Sequence, residues 1–238
     1  MITPDATLHL GDCLDVLRSL PDGSVDAVVT DPPYGVDYRG RWNSEWPKIA
    51  NDAHLGWLPE WAEQLGRVCR PDAFVCCFYG WPHADAFLSA FRGAGWKAVS
   101  HLVFVKNQIG LGYHTRAKHE QAYLFAKGSP CPAIVDADVL PWTRVLDAEH
   151  PTQKPLDAIR PLVERFSPEG GTVLDPYMGS GTTAVACVEL GRHFIGCEID
   201  PAYHCIAARR VAEAQDRHPL FRAAEAKQRL LLSLEDVS

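Results

Sequence analysis

Thr30-Asp31-Pro32-Pro33-Tyr34-Gly35 follows directly on the apolar run Val25-Asp26-Ala27-Val28-Val29, and this junction decides the fold. A short buried strand ends there and the chain breaks at two prolines. Each proline fixes its own φ and disfavours helix in the residue before it. A carboxylate, a backbone carbonyl that no helix or sheet claims and an aromatic ring are thereby held together at the mouth of a sheet. Two hydrogen-bond acceptors beside a flat surface suit a planar substrate bearing an exocyclic NH2. Asp-Pro-Pro is also an ordinary turn sequence, so the reading needs a second stretch.

That stretch is Val173-Leu174-Asp175-Pro176-Tyr177-Met178-Gly179-Ser180-Gly181-Thr182-Thr183. It too reads as a strand running into a glycine-rich turn and then a helix. Such turns let a ligand approach backbone N–H groups at a helix N-terminus. Gly179-x-Gly181 only partly matches a dinucleotide fingerprint and lacks the lysine of a phosphate-binding loop. Asp175 suits a positively charged ligand and would repel a pyrophosphate. Glu198, at the end of the next strand, suits ribose hydroxyls.

Around these stretches strand and helix alternate. Strands are expected at Thr7–Leu10, Val25–Val29, Ala73–Phe78, Trp96–Val105, Gln121–Ala126, Thr172–Asp175 and His193–Cys197. Helices are expected at Cys13–Leu20, Leu55–Arg70, His83–Arg92, Leu156–Phe166, Thr182–Leu190, Ala202 to about Gln215, and in the tail Phe221–Leu232. The pattern indicates a parallel sheet covered on both faces, with the strands at 96–105 and 121–126 paired. Gly128–His150 carries Pro130, Pro132 and Pro141, with Pro151 just beyond, and reads as an irregular insert.

Composition sets limits. The 238 residues are 47% hydrophobic and 22% charged, enough for one substantial core. No apolar run reaches the roughly 18 residues of a membrane span, and Met1-Ile2-Thr3-Pro4-Asp5 shows no signal pattern. Eight cysteines without a Cys-x-x-Cys pair read as buried thiols of a reducing, cytoplasmic compartment. A net charge of −7 argues against non-specific coating of nucleic acid, which needs lysine and arginine. Local basic groups remain: Arg39, Arg41 and Lys48 beside Tyr38, Trp42 and Trp46, and then Lys106, Arg116 and Lys118. Either they form a solvated surface or they contact a nucleic-acid backbone with bases stacked on the rings.

With both motifs in this order, the chain resembles the S-adenosylmethionine-dependent amino-methyltransferases that methylate nucleobases in DNA, in the arrangement where Asp-Pro-Pro-Tyr precedes the glycine loop. The resemblance implies an α/β, Rossmann-like methyltransferase fold: a mostly parallel seven-stranded sheet with helices on both faces and circularly permuted motif order. It implies one domain over 1–238, with a mobile loop at 35–52 and a small target-recognition insert at 128–150. By the same resemblance Asp31, Pro32, Pro33 and Tyr34 are catalytic. Asp12, Cys13, Asp31, Thr152, Lys154, Asp175, Pro176, Gly179, Gly181, Thr182, Glu198 and Ile199 border S-adenosylmethionine, with Thr152 and Lys154 on its carboxylate. Arg39, Arg41, Lys48, Lys106, Arg116 and Lys118 contact DNA, and no metal takes part. Asp12 would equally serve as a helix N-cap, and Thr182 would equally just start its helix. Aspartate before Pro-Pro-Tyr is the family's usual choice for adenine-N6 enzymes and serine for cytosine-N4 enzymes, so adenine is expected. The alternatives are cytosine-N4 transfer and a non-catalytic DNA-binding partner. A homodimer and a restriction partner stay open.

Overall fold

The computed structural model describes residues 5–36, 52–110, 114–143, 145 and 153–217. One eight-stranded sheet organises them. In chain order its strands are β1 (Ala6–Leu10), β2 (Val25–Thr30), β3 (Cys69–Phe78), β4 (Lys97–Lys106), β5 (His119–Ala126), β6 (Val139–Trp142), β7 (Thr172–Asp175) and β8 (His193–Glu198). Their order across the sheet is β1-β8-β7-β2-β3-β5-β4-β6. Only β5 runs against its neighbours β3 and β4; the other pairings are parallel. The resemblance implied seven strands, and the eighth is β6, inside the stretch expected to be irregular. Pro141 hid it: proline cannot donate to a ladder and is confined to strands with one free edge, and β6 is such an edge, paired only with β4.

The helices are α1 (Cys13–Ser19), α2 (Leu58–Val68), α3 (Ala84–Gly93), α4 (Leu156–Phe166), α5 (Thr182–Glu189) and α6, over residues 201–217. They divide between the two faces. α1, α2 and α3 bury Leu17, Trp61, Leu65, Phe87 and Phe91 against one side. α4, α5 and α6 bury Ile159, Leu162, Val185 and Val211 against the other. β3 shows the period of two that serves both: Phe74, Cys76 and Phe78 face one core, and Val75, Cys77 and Tyr79 the other. α2 buries Leu58, Trp61, Ala62, Leu65 and Val68, a single helical stripe. α5 buries every residue from Thr182 to Val188, so its apolar character is continuous rather than periodic.

The two motif strands lie side by side. β2 pairs with β7 through Ala27↔Val173 and Val28↔Leu174. Asp26, an odd residue for a buried strand, accepts the Thr172 N–H at 2.8 Å and Arg70 Nη1 at 2.6 Å, which fixes where β7 begins. After β2 the chain leaves for α2 on one face, and after β7 for α5 on the other. In parallel α/β sheets such a divergence opens a crevice at the carboxyl ends of the strands.

Candidate active site

The carboxyl ends of β1, β2, β3, β7 and β8 meet around one cavity of about 720 Å³, within the usual range for a small-molecule site. Asp12, Asp31, Phe78, Asp175 and Glu198 all line it, because parallel strands deliver their last residues to the same edge. Two segments almost 150 positions apart thus share one pocket.

At one end stands the Asp-Pro-Pro-Tyr turn. The Tyr34 hydroxyl donates to Asp31 Oδ1, and the Lys154 ammonium donates to Oδ2. Burial and the Asp31 charge push the Tyr34 phenol well above its ordinary pKa, so it stays a neutral donor. The Tyr34 side chain lies against Gly80, where a β-carbon would come within 3.0 Å of it. Lys154 Nζ sits 5.1 Å from the Phe78 ring centroid, 5.8 Å from Trp142 and 5.9 Å from Tyr34. Beside them Lys106 pairs with Glu120 and lies 5.9 Å from the Trp142 ring. Asp52, 3% exposed, accepts from Gly35 N at 2.8 Å and Val36 N at 3.3 Å, securing the residue after the tyrosine.

The other end is built from backbone and buried acid. Asp175, 3% exposed, accepts from Thr183 Oγ1 at 2.7 Å and Tyr177 N at 3.1 Å. Burial raises its pKa to about 7 despite these bonds. Glu198 accepts from Gly179 N at 3.1 Å and Asp200 N at 2.8 Å, and burial raises its pKa too. Asp12 caps α1 by accepting from Leu14 N at 2.8 Å and also lines the cavity, so the cap and the site readings coexist. Next to it burial lifts the Cys13 thiol to about 11, leaving it protonated. A β-carbon on Gly11 would meet nothing within 4 Å, which leaves open backbone beside Asp12.

The remaining expected residues divide. Pro176, Thr182 and Ile199 line the cavity. Gly181 does not. It has φ +81°, and a β-carbon there would meet Ala207 at 2.9 Å, so its smallness serves the approach of α6. Thr182 Oγ1 donates to the Lys154 carbonyl at 3.2 Å, and Arg210 Nη1 reaches Thr182 Oγ1 at 3.3 Å and the Ser180 carbonyl at 2.6 Å. Lys154 itself points to Asp31 rather than to the glycine loop. Lys106, expected at a DNA surface, is drawn into the cavity wall by Glu120. Arg116 donates to the Gly110 carbonyl at 3.1 Å, and it and Lys118 are exposed. Arg39, Arg41, Lys48, Thr152, the loop core at 37–51 and the tail at 218–238 lie outside the described residues. Phe78, Glu120, Trp142 and Arg210 were not singled out from sequence. Both Phe78 and Trp142 end strands; the end at Phe78 was foreseen and its place in the site was not, and for Trp142 the strand itself was missed.

The sheet order and the crevice fit a Rossmann-like methyltransferase fold. Comparison with known proteins gives the family: the model of the N6/N4 DNA methylases matches residues 25–149 and 135–209. "Putative methylase YubD" of Escherichia coli (strain K12) is 39% identical over 206 residues, which cover 86% of this chain and 89% of that protein. The type II methyltransferase M.BglII of Bacillus subtilis is 27% identical, covering 90% of this chain and 71% of its own length. The solved M1.HpyAVI–SAM complex superposes with a TM-score of 0.69 at 23% identity, covering 87% of this chain and 98% of that one. The chain belongs to this family of S-adenosylmethionine-dependent DNA amino-methyltransferases. Among the described residues no helix is long and apolar enough to cross a membrane.

Proposed function

We propose that this protein transfers the methyl group of S-adenosylmethionine to the exocyclic N6 of adenine in DNA. One observation carries the reading: the Asp31–Tyr34 acceptor turn and the Asp175–Glu198 donor wall border the same cavity. Aspartate before Pro-Pro-Tyr, where the cytosine-N4 enzymes more commonly carry serine, supports adenine over cytosine.

The cavity fits a sulfonium amino acid. Seven lining carboxylates (Asp12, Asp31, Asp52, Glu120, Asp175, Glu198 and Asp200) face two lining lysines, and each lysine is paired with one of those acids. Such a wall attracts a cation and repels phosphate. Asp175 would hold the ammonium, Glu198 the ribose hydroxyls, and Asp12 with Cys13 would border the adenine, while Gly179 supplies close backbone. When bound, the cofactor supplies an electrophilic methyl group.

The chain's own residues prepare the acceptor. An amino nitrogen on a purine is a poor nucleophile because its lone pair is delocalised into the ring. Hydrogen bonds from that NH2 to Asp31 and to the Pro32 carbonyl favour a pyramidal nitrogen with a localised pair. Tyr34 sets the ring's attitude, and positioning supplies much of the barrier reduction. The Asp31 carboxylate is the nearest acceptor for the proton the nitrogen sheds. Because the target nitrogen is hidden in a duplex, the base must be flipped out or met single-stranded. Arg116 and Lys118 are exposed, which leaves them available for phosphate contact.

The test is transfer of tritiated methyl from S-adenosylmethionine to bacterial DNA, followed by nucleoside analysis. Labelled N6-methyladenine is expected. N4-methylcytosine would overturn the choice of base. Cofactor binding with no label on either single- or double-stranded DNA would leave a non-catalytic partner instead.

A further inference from the structure

Lys154 is an unusual occupant for the acceptor end. Its side chain is 11% exposed, and its ammonium is bonded to Asp31 and surrounded by the rings of Phe78, Trp142 and Tyr34. The rings favour a cation on their faces and exclude competing water. Its backbone is fixed as well, through the carbonyl that accepts from Thr182 Oγ1 at 3.2 Å.

An ammonium has three protons, and among the described residues its one hydrogen-bond acceptor is Asp31 Oδ2. Asp31 in turn has about four lone-pair sites, of which the Tyr34 hydroxyl and Lys154 take one each. Acceptor and donor therefore sit in contact with each other and face one cavity, with capacity left on both. Side by side they present the pattern a carboxamide presents, an acceptor next to a donor. That pattern complements an NH2 group adjacent to an unprotonated ring nitrogen.

We infer that Lys154 is an acceptor-side recognition residue, donating to the ring nitrogen next to the amino group that Asp31 and Pro32 accept. Adenine offers N6–H2 beside N1, and cytosine N4–H2 beside N3, so both match. At the same ring position guanine (O6 beside N1–H) and thymine (O4 beside N3–H) turn an oxygen toward Asp31 and an N–H toward the ammonium, two mismatches at once. The pair thus selects bases with an amino group at that position against those with a keto oxygen there. This places Lys154 with the base rather than with the cofactor's carboxylate. The inference rests on the methylation reading above, whose test identifies the base and, by sequencing, the methylated word.

The decisive substrate is a duplex carrying that word with 1-deazaadenine at the target, which keeps the amino group and removes the ring acceptor (3-deazacytosine if the base is cytosine). Wild-type kcat/KM is expected to fall about ten- to hundredfold, the range of a hydrogen bond to a charged group. Lys154→Met is expected to lose a similar factor on the natural base, to lose nothing further on the deaza base, and to keep its cofactor Kd. The difference between the two enzymes is the readout, because removing the ring nitrogen also alters the amino group. An equal deaza penalty in both enzymes would overturn the assignment. A cofactor Kd raised more than tenfold in Lys154→Met, with the deaza penalty intact, would return the lysine to the cofactor. Should Lys154→Met fail to fold, the wild-type arm still decides against it if the deaza base is methylated as fast as the natural one. Absence of methylation on natural DNA would instead sink the functional reading itself.

Discussion

Asp31, just past the end of β2, and Asp175, the last residue of neighbouring β7, line one cavity, yet they are held in opposite ways. Asp31, its side chain 21% exposed, is matched by a lysine ammonium and a phenol hydroxyl among aromatic rings. Asp175 is buried against a threonine hydroxyl and a backbone N–H, with no ion pair among the described residues to balance it, and its pKa rises to about 7. The acceptor end is charge-compensated before any ligand arrives. The donor end is not, and on the proposed reading a ligand that brings its own positive charge would complete it. One wall is preorganised for shape and hydrogen bonding, the other for charge.

Removing the compensated carboxylate gives the largest effect. Asp31→Ala is expected to reduce methyl transfer on the order of 10²–10³-fold, as for the loss of one transition-state hydrogen-bonding group. Cofactor affinity, measured by calorimetry, should be retained; a parallel loss of affinity would erase the distinction between the two ends.

The uncompensated carboxylate predicts a pH effect. Burial raises Asp175 from an ordinary 3.8 to about 7, so the ligand-free fold takes up a proton here. Stability from this group is present below pH 4 and is lost as pH rises toward 7. A cationic ligand prefers the ionised form, so cofactor affinity should fall by up to about tenfold per pH unit below 7 and level off above it. Asp175→Asn should flatten that slope, and a flat profile in the wild type would show that no cation meets this group.

Two smaller effects probe the scaffold that keeps the ends apart. Gly181→Ala puts a side chain at φ +81° and 2.9 Å from Ala207. It should cost about 1–3 kcal/mol and lower Tm by roughly 2–4 °C for each kcal/mol. Loss of cofactor binding without loss of Tm would instead place Gly181 at the ligand. Asp26→Ala removes the bond that aligns β7 beside β2; about 1–2 kcal/mol of stability should go, seen by chemical denaturation.

The donor end was the more legible from sequence. β7 was read with its observed limits, Thr172–Asp175, as was α4, and Glu198 falls at the end of β8 as expected. Each is a local signal: an apolar run, a glycine turn, an acid at a strand end. The acceptor end was legible only in its turn. Trp142 lies on an edge strand whose proline imitates a loop. Phe78 was read as the last residue of its strand, as it is, but an apolar ring at a strand end does not announce that it faces a cavity as well as the core. Lys154 is 123 positions from Asp31, and nothing local announces their pairing. Lys106 was assigned to a DNA surface, since an isolated lysine gives no sign of the glutamate that reaches it from the next strand, where Glu120 stands across from Phe104.

Asp52 has a further consequence. Its carboxylate ties Gly35 and Val36 to the point where the chain comes back toward α2, so exit and return share one anchor. Gly35 follows Tyr34 directly, so the approach of the phenol to Asp31 depends on a carboxylate from a distant stretch of the chain.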